Sequence, residues 1–244
     1  PMAAMAETSG PSSRCRILTE EFHRAGDDVA TCMAEDVNFK CIEGIRNYAL
    51  AVPMPFGLPA SIAKRIFPIA QKLGMTSRVT VDSFDRVLFM TGNLDYRYLK
   101  KSVASIRKAI QDFHPDAIYS EFNISAMIAA QIEAIPLYCT VSYPTQYEYA
   151  HDTRRSKDLN RFLREMSLLT VDSALQLFDR AEQLFCPSIR ELEPFSKKNV
   201  QYCGALQAAI YESGTNHPRN KILVYMGNGT IPAKKMRRVI GEAF

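Results

Sequence analysis

Residues 115–141 read PDAIYSEFNISAMIAAQIEAIPLYCTV, and this stretch decides the fold class. Residues 117–120 form a short apolar run after a Pro-Asp turn, which predicts a buried strand. Residues 123–133 are rich in Ala and Ile and predict a helix, and residues 135–141 predict a second strand. Two short strands bridged by a helix make a parallel βαβ unit with a right-handed crossover.

The same alternation of short apolar runs and amphipathic segments begins at the amino end. Residues 2–6 predict a weak strand, and residues 7–13 (ETSGPSS) predict a loop of small residues. Residues 14–25 place apolar side chains at helical spacing, and Gly26 predicts the end of that helix. Residues 28–33 predict the next strand, so the first 33 residues form another βαβ unit.

The remaining segments extend this pattern. We predict strands over 47–52, 183–186 and 199–202, helices over 61–73, 95–113 and 159–179, and a Pro-rich loop over 53–59. Together these elements predict an α/β fold: a Rossmann-like parallel sheet with flanking helices.

Composition excludes several classes of protein. Of the 244 residues, 47% are apolar and 23% are charged, which is typical of a folded globular protein. No apolar run reaches the roughly 18 residues needed to cross a bilayer, so we expect no transmembrane segment. The formal net charge of +4 is spread along the chain, so we expect no nucleic acid partner.

Six cysteines are present without a C-x-x-C pair or a His at zinc-binding spacing, so we expect no metal ion. We also expect no bound cofactor. Cys32, Cys139 and Cys186 fall in predicted core segments, which predicts reduced and buried thiols. No secretion signal is visible, and we therefore expect a cytoplasmic protein. The oligomeric state is not indicated.

The chain divides into unequal parts. Residues 1–210 predict one domain, residues 211–220 are polar and predict a linker, and residues 221–244 predict the start of a second Rossmann-like domain. That second domain contains a strand over 221–225, a Gly-rich loop and a helix from residue 233. Its brevity, together with Pro1 at the start, leads us to expect a truncated piece of a longer protein.

Four places near predicted strand ends carry candidate functional residues, and the first is the loop after the first strand. In open α/β sheets, ligands bind at the carboxyl ends of the strands. The loop after the first strand carries small and basic residues that enter a helix, where free N–H groups attract anions. Ser12 or Ser13 could equally cap that helix. The candidates in this loop are Ser9, Gly10, Ser12, Ser13 and Arg14.

Glu121 follows the strand over 117–120 directly, where a carboxylate can reach a ligand or orient a base. It could instead favour the dipole of the next helix. The loop over 142–151 leaves another strand end and concentrates aromatic and polar groups, which is typical of a small-molecule pocket or of an ordinary surface loop. Its candidates are Tyr143, Thr145 and Gln146 for binding and His151 as a base.

The fourth candidate is the loop after the strand over 221–225. Gly227, Asn228, Gly229 and Thr230 lie between a strand and a helix, where glycines let a phosphate approach backbone N–H groups. A Gly-x-Gly pattern alone is a weak signal.

Taken in order, these segments resemble the GT-B glycosyltransferases, in the UDP-sugar-dependent family 1 group that includes macrolide and flavonoid glycosyltransferases. The resemblance rests on residues 18–30 (LTEEFHRAGDDVA), residues 115–136, and residues 186–204 (CPSIRELEPFSKKNVQYCG) followed by 222–230 (ILVYMGNGT). It covers nearly the whole chain. Each motif is loose by itself, and the ordered set is fairly specific.

The resemblance implies an enzyme that transfers a sugar, with inversion, from a nucleotide sugar to a hydroxyl of a small lipophilic acceptor. Residues 1–210 would be the acceptor-binding domain, and residues 227–230 would contact the donor phosphates. In such enzymes a His in the loop after the first strand acts as base, and an acidic residue orients it. Glu121 matches the acidic position, but the first loop contains no His. His151 could substitute as the base.

Two other functions fit the same residues. The missing loop His favours a non-catalytic binding module that keeps the fold, and a related sugar-nucleotide enzyme such as an epimerase is also possible. A dinucleotide-binding domain fits less well, because no G-x-G-x-x-G follows the first strand. Since most of the donor domain is missing, we expect the chain alone to be inactive.

Overall fold

A computed structural model describes residues 2–3, 9–34, 41–53, 62, 83–206 and 233–243. The strands are β1 (Met2–Ala3), β2 (Ala30–Met33), β3 (Arg46–Ala49), β4 (Ile118–Glu121), β5 (Leu137–Thr140), β6 (Gln183–Cys186) and β7 (Val200–Tyr202). The helices are α1 (Ser9–Ala25), α2 (Phe84–Met90), α3 (Tyr96–Phe113), α4 (Ile124–Ile132), α5 (Lys157–Glu165) and α6 (Ala233–Ala243). Three 3₁₀ helices cover Tyr143–Thr145, Thr153–Ser156 and Ala174–Arg180.

All seven strands form one parallel sheet in the order β3-β2-β1-β4-β5-β6-β7. The chain builds outward from β1 in one direction through β2 and β3, and in the other direction from β4 to β7. The strand order therefore reverses between β1 and β4, which is the topological switch point of a doubly wound sheet. The predicted fold class, a Rossmann-like parallel sheet with flanking helices, is confirmed.

Alternation along the strands divides the apolar side chains between the two faces of the sheet. On β2, Cys32 belongs to the main core, whereas Met33 packs with Cys15 of α1 and with Ile42 in a smaller cluster. The main core lies under α3, α4 and α5. Helix α4 is buried along seven consecutive residues, which explains why its sequence is nearly all Ala, Ile and Met.

Helix α3 has the bounds that its sequence predicts. Asp95 precedes the first turn, and its side chain accepts a hydrogen bond from the Tyr98 N–H. Leu99, Val103 and Ile106 are buried in the main core at helical spacing. The helix ends at Phe113, where His114 adopts a left-handed conformation with φ of 52°.

The predicted loop over 7–13 is wrong for residues 9–13, because α1 begins at Ser9. Proline is a frequent loop residue, and Pro11 therefore favoured a loop in the prediction. In the first turn of a helix, however, backbone N–H groups make no intrahelical hydrogen bond, so a proline is tolerated there. The other end of α1 agrees with the prediction, because Gly26 follows Ala25 with φ of 98°.

The single helix predicted over 159–179 is also wrong. Helix α5 ends at Glu165, and Ser167 adopts a left-handed conformation with φ of 57°. The Asn160 side chain then holds Val171 through two hydrogen bonds, from its amide to the Val171 carbonyl at 2.7 Å and from the Val171 N–H at 2.9 Å. Ser173 starts the following 3₁₀ helix, and its side chain accepts a hydrogen bond from the Leu175 N–H. These contacts from side chains to the backbone interrupt an otherwise amphipathic pattern.

Other predictions have mixed outcomes. The strands over 183–186 and 199–202 match β6 and β7, and the strand over 47–52 is the shorter β3. Helix α2 was not predicted. The helix from residue 233 is present as α6. The loop over 53–59 and the helix over 61–73 lie almost entirely outside the described residues, and the linker over 211–220 and the strand over 221–225 lie wholly outside them.

The predicted buried thiols are confirmed at Cys32, Cys139 and Cys186, and Cys15 is buried as well. Cys41 and Cys203 are exposed. None of the six cysteines forms a disulfide. Among the helices that the structure describes, none is both long enough and apolar enough to span a membrane.

Candidate functional site

An ion pair crosses the switch point of the sheet. Glu121 is the last residue of β4, and Arg14 lies on α1, the helix that follows β1. The Arg14 Nε donates to both Glu121 carboxylate oxygens, at 3.0 and 3.2 Å, and its Nη2 donates to Oε2 at 2.9 Å. The pair therefore joins the two halves of the sheet at the carboxyl ends of the strands, where open α/β sheets bind ligands.

Glu121 has no exposed surface, and its carboxylate is fully engaged. Thr140, at the end of the neighbouring strand β5, donates its hydroxyl proton to Glu121 Oε1 at 2.5 Å. Because that proton is committed to Glu121, the Tyr119 hydroxyl is the donor in its 2.6 Å contact with Thr140 Oγ1. Tyr119, Thr140, Glu121 and Arg14 form one continuous hydrogen-bonded chain on the α1 side of the sheet.

The residue after Glu121 holds a strained backbone conformation. Phe122 has φ of 59°, which is rare for a bulky aromatic residue. Its ring is buried, and the Arg14 guanidinium lies over it at 5.8 Å from the ring centroid. Asn123 then caps α4 by accepting a hydrogen bond from the Ala126 N–H. Strained residues of this kind concentrate at functional sites, where surrounding contacts hold them in place.

Arg14 stays charged in this environment. Burial lowers the pKa of its guanidinium. The hydrogen bonds to Glu121 and the charge of Glu121 together raise that pKa by more than burial lowers it, so the net shift is upward. Its Nη1 group lies beside Gly10, 3.7 Å from the place that a Cβ would take. Within the part of the chain that the structure describes, Nη1 has no hydrogen-bond partner, and 23% of the side chain is exposed.

The other candidates of the first loop lie in the first turns of α1. Gly10 and Ser13 are exposed, whereas Ser12 is buried. Ser9 is the first residue of the helix. The structure thus brings these four residues to the same end of α1 as Arg14, at the edge of the sheet where β1 and β4 end.

The loop over 142–151 is more structured than its sequence predicts. Thr145 and Gln146 are both buried. Thr145 closes a 3₁₀ turn with Ser142, and the Gln146 amide donates to the Pro194 carbonyl at 3.1 Å. Tyr143 is exposed and packs edge-on against Tyr149 with 4.9 Å between ring centroids. The exposed residues of this loop are therefore the two tyrosines together with Pro144, Glu148 and His151.

His151 lies apart from Glu121 in the hydrogen-bond network. Its Nδ1 is 2.9 Å from the Tyr147 carbonyl oxygen, and its ring stacks on Tyr147 at 3.8 Å. It lines an open surface cavity of about 970 Å³ together with Arg86 and Arg154. No hydrogen bond among the described residues joins His151 to the chain of contacts around Glu121, so these two predicted catalytic residues do not form a pair.

Sequence reasoning missed Tyr119, Thr140 and Phe122. One signal was available, since residues 119 and 121 share one face of a strand and residue 140 is the last but one of the predicted neighbouring strand over 135–141. A second cavity, of about 730 Å³, lies at the opposite edge of the sheet, where it is lined by apolar residues that include Ile118, Tyr119 and Phe185.

The predicted donor contacts Gly227, Asn228, Gly229 and Thr230 lie outside the described residues. Within the described ranges, no cluster of three or more His, Cys, Asp or Glu side chains is arranged to hold a metal ion.

Comparison with known proteins shows a likeness of fold. No protein-family model matches the sequence, and no curated protein matches it. Among solved structures, the kitacinnamycin glycosyltransferase aligns at 14% identity and a TM-score of 0.56, over 89% of this chain and 54% of that one. SsfS6, a glycosyltransferase from Streptomyces sp. SF2575 complexed with thymidine diphosphate, aligns at 12% and 0.48, over 82% and 51%. MurG from Acinetobacter baumannii aligns at 10% and 0.46, over 88% and 46%.

The chain thus spans about half the length of the solved structures that it matches. At 14% identity, the likeness to the kitacinnamycin enzyme is evidence of a common fold. This chain has a parallel sheet with the strand order of a doubly wound fold, and it shares its fold with that enzyme. The chain therefore has the Rossmann-like fold of a GT-B glycosyltransferase domain.

Proposed function

We propose that this chain is the acceptor-binding part of a glycosyltransferase that moves a sugar, with inversion, from a nucleotide sugar to an oxygen of a small lipophilic acceptor. The observation that carries the proposal is the ion pair between Arg14 and Glu121 at the switch point of the sheet. A buried charge network at a ligand-binding edge is costly for stability, which favours a functional reason for it. The fold shared with a glycosyltransferase supports the same function.

The acceptor in this proposal lies over the carboxyl ends of β1, β4 and β5. Arg14 and the first turns of α1 contact its polar part, and the exposed rings of Tyr143 and Tyr149 pack against its apolar part. Aromatic walls with a few fixed polar groups are typical of small-molecule sites. Glu121 acts as a positioning residue, because its buried carboxylate accepts the hydrogen bonds that fix the guanidinium of Arg14.

The sugar donor is proposed to be a UDP-sugar, with residues 227–230 near its phosphates. No metal or cofactor is part of the proposal, and the protein is proposed to act in the cytoplasm. Because the predicted donor contacts in this chain amount to one short loop, we expect residues 1–244 alone to transfer no sugar and to bind UDP-glucose only weakly. Calorimetric titration with UDP-glucose tests this expectation, and micromolar affinity would contradict it.

The direct test of the function is transfer of radiolabelled hexose from UDP-glucose by the complete gene product, with a panel of aromatic acceptors. We expect transfer to at least one acceptor. We further expect the combined variant Arg14→Gln and Glu121→Gln to reduce turnover at least tenfold without loss of folding. Unchanged turnover in the combined variant would show that the ion pair takes no part in the acceptor site.

A non-catalytic binding module is the second candidate, and one specific observation favours it. In the described part of the chain Glu121 is occupied by Arg14 and Thr140, so it has no exposed surface from which to orient a base. Such a module would bind the same acceptor at the same edge of the sheet. Acceptor binding by the complete gene product, without transfer from any nucleotide sugar in a panel, would identify this alternative.

A further inference from the structure

We propose that the acceptor is a carboxylic acid, which reacts through its ionised carboxylate bound at Nη1 of Arg14. This inference rests on the proposed glycosyltransferase function and names the chemical class of its acceptor. It follows from the geometry of the switch-point site, where Glu121 holds the guanidinium of Arg14 in place and, among the residues that the structure describes there, no side chain is free to take a proton.

The first step concerns the cation. Arg14 uses Nε and Nη2 for Glu121, and its guanidinium rests on the Phe122 ring. This fixes the plane of the guanidinium, so that Nη1 is presented beside Gly10 in a set direction. Because Gly10 has no side chain, this residue does not cover the side of Nη1 that faces it. A guanidinium held in this way donates charge-assisted hydrogen bonds to a carboxylate with little further loss of side-chain entropy.

The second step concerns the missing base. An alcohol acceptor must lose a proton as its oxygen attacks, which ordinarily requires a general base within hydrogen-bond reach. Glu121 cannot take that proton, because it is fully buried and bound by Arg14 and Thr140. The guanidinium of Arg14 has a raised pKa and stays protonated.

The histidines of the described residues do not supply a base either. The sequence contains four, none of them before residue 23, and His217 lies outside the described residues. His23 lies near the end of α1, and His114 follows α3 directly before the turn into β4, so both belong to the amino edge of the sheet. The Nδ1 atom of His151 is within hydrogen-bond distance of the Tyr147 carbonyl oxygen, and the His151 ring stacks on the Tyr147 ring. Around the ion pair, the described residues include no imidazole.

A carboxylate acceptor allows the sugar to be transferred without a base. A carboxylate is ionised at neutral pH and needs no base. Its oxygen forms a bond to the anomeric carbon of the sugar while the bond from that carbon to the nucleoside diphosphate breaks. The diphosphate leaves with the bonding electron pair, the product is a glycosyl ester, and no proton is transferred. The arrangement of Arg14 and Glu121 therefore suits a carboxylate and does not suit an alcohol.

The test compares three ligands that share one ring system. Residues 1–244 are titrated at pH 7 and low salt with naphthalene-2-carboxylate, naphthalene-2-carboxamide and 2-naphthol, while amide resonances are followed by NMR. We expect the carboxylate to bind at least tenfold more tightly than the carboxamide, and to shift the resonances of Gly10, Asn123 and Ser142. Equal affinity of the carboxylate and the carboxamide would overturn the inference.

Variants assign the effect to Arg14. The combined variant Arg14→Gln and Glu121→Gln removes both charges, so it leaves no unpaired buried carboxylate, and we expect it to abolish the preference for the carboxylate. The matched control is Arg24→Gln with Glu21→Gln, which removes an exposed ion pair of α1 and should leave the preference intact. A preference that survives in the first variant would overturn the inference.

The outcomes separate the two proposals. If 2-naphthol binds at the carboxyl edge and receives sugar from the complete gene product while the carboxylate does neither, the acceptor class is wrong and the glycosyltransferase function stands. If none of the three ligands shifts resonances at that edge, the acceptor site itself is wrong. Shifts confined to Ala30 and Asp116 would locate binding in the apolar cavity at the amino edge and would overturn both proposals.

Discussion

Arg14 and Glu121 are 107 residues apart in the sequence and meet through three hydrogen bonds of 2.9 to 3.2 Å at the switch point of the sheet. The carboxylate has no exposed surface, whereas 23% of the arginine side chain is exposed. The pair therefore has a buried half that fixes its geometry and an outer half that a ligand can contact. This asymmetry distinguishes it from the surface ion pairs of the same helix.

We first predict the stability effects of this pair. Arg14→Gln should lower the free energy of unfolding by about 3–5 kcal/mol, because it leaves a buried carboxylate without its partner. Adding Glu121→Gln to the same chain should restore most of that loss. Urea unfolding of both variants measures the effect. The control Arg24→Gln breaks an exposed pair and should change the unfolding free energy by less than about 1 kcal/mol. Equal losses in the single and the combined variants would show that the two residues are not coupled.

The cap of α4 gives a second prediction, next to the site. Asn123→Ala removes the oxygen that accepts from the Ala126 N–H, and we expect a loss of about 1 kcal/mol in the free energy of unfolding. Ser105→Ala, in the half-buried middle of α3, should change it by less than about 0.5 kcal/mol. Denaturant melts of the two variants side by side decide the matter, and an Asn123 variant as stable as the wild type would contradict the assigned cap.

The third prediction concerns the pH dependence of one carboxyl group. Hydrogen bonds from the Arg154 side chain and backbone lower the pKa of Asp152 to about 2. Since the folded-state pKa is below the unfolded value of about 3.9, the stabilisation is complete above that unfolded value and is lost as the pH falls towards 2. NMR titration of the Asp152 carboxyl should show this value, and Arg154→Gln should return it towards about 3.9. A wild-type pKa near 3.9 would contradict the assigned contacts.

Thiol reactivity gives a fourth prediction. Cys41 and Cys203 are exposed and should react with a disulfide reagent at pH 8 in the folded protein. Burial raises the pKa of Cys15 and Cys32 to about 12, and Cys139 is buried as well, so these thiols should react only after unfolding. Mass spectrometry of the labelled peptides identifies the reactive positions. Labelling of Cys139 at the rate of Cys41 would contradict the described core.

How far the sequence could predict this fold depends on the range of the interactions. Residues 115–141 carry local signals for strand, helix and strand, and the structure follows them closely because each element is specified by its own neighbours. Gly26 and Asp95 likewise mark helix ends through contacts within a few residues. Such features are visible in a single sequence.

Other features depend on contacts that no local pattern contains. The break after α5 requires the Asn160 side chain to hold Val171, eleven residues further along the chain. The start of α1 at Ser9 depends on a proline that is tolerated in a first turn. Arg14 and Glu121 were each predicted as candidates, but their pairing depends on a strand order that places β1 beside β4.

In the proposed function, the Arg14–Glu121 pair belongs to the acceptor site of a sugar-transferring enzyme. The most direct measurement is the turnover of the complete gene product with UDP-glucose and naphthalene-2-carboxylate or 2-naphthol, in the wild type, in the combined Arg14→Gln and Glu121→Gln variant, and in the exposed-pair control. We expect the wild type and the control to transfer sugar, and we expect the turnover of the combined variant to be at least tenfold lower. Equal turnover in all three proteins, or no transfer to any acceptor that binds, would contradict the proposed function.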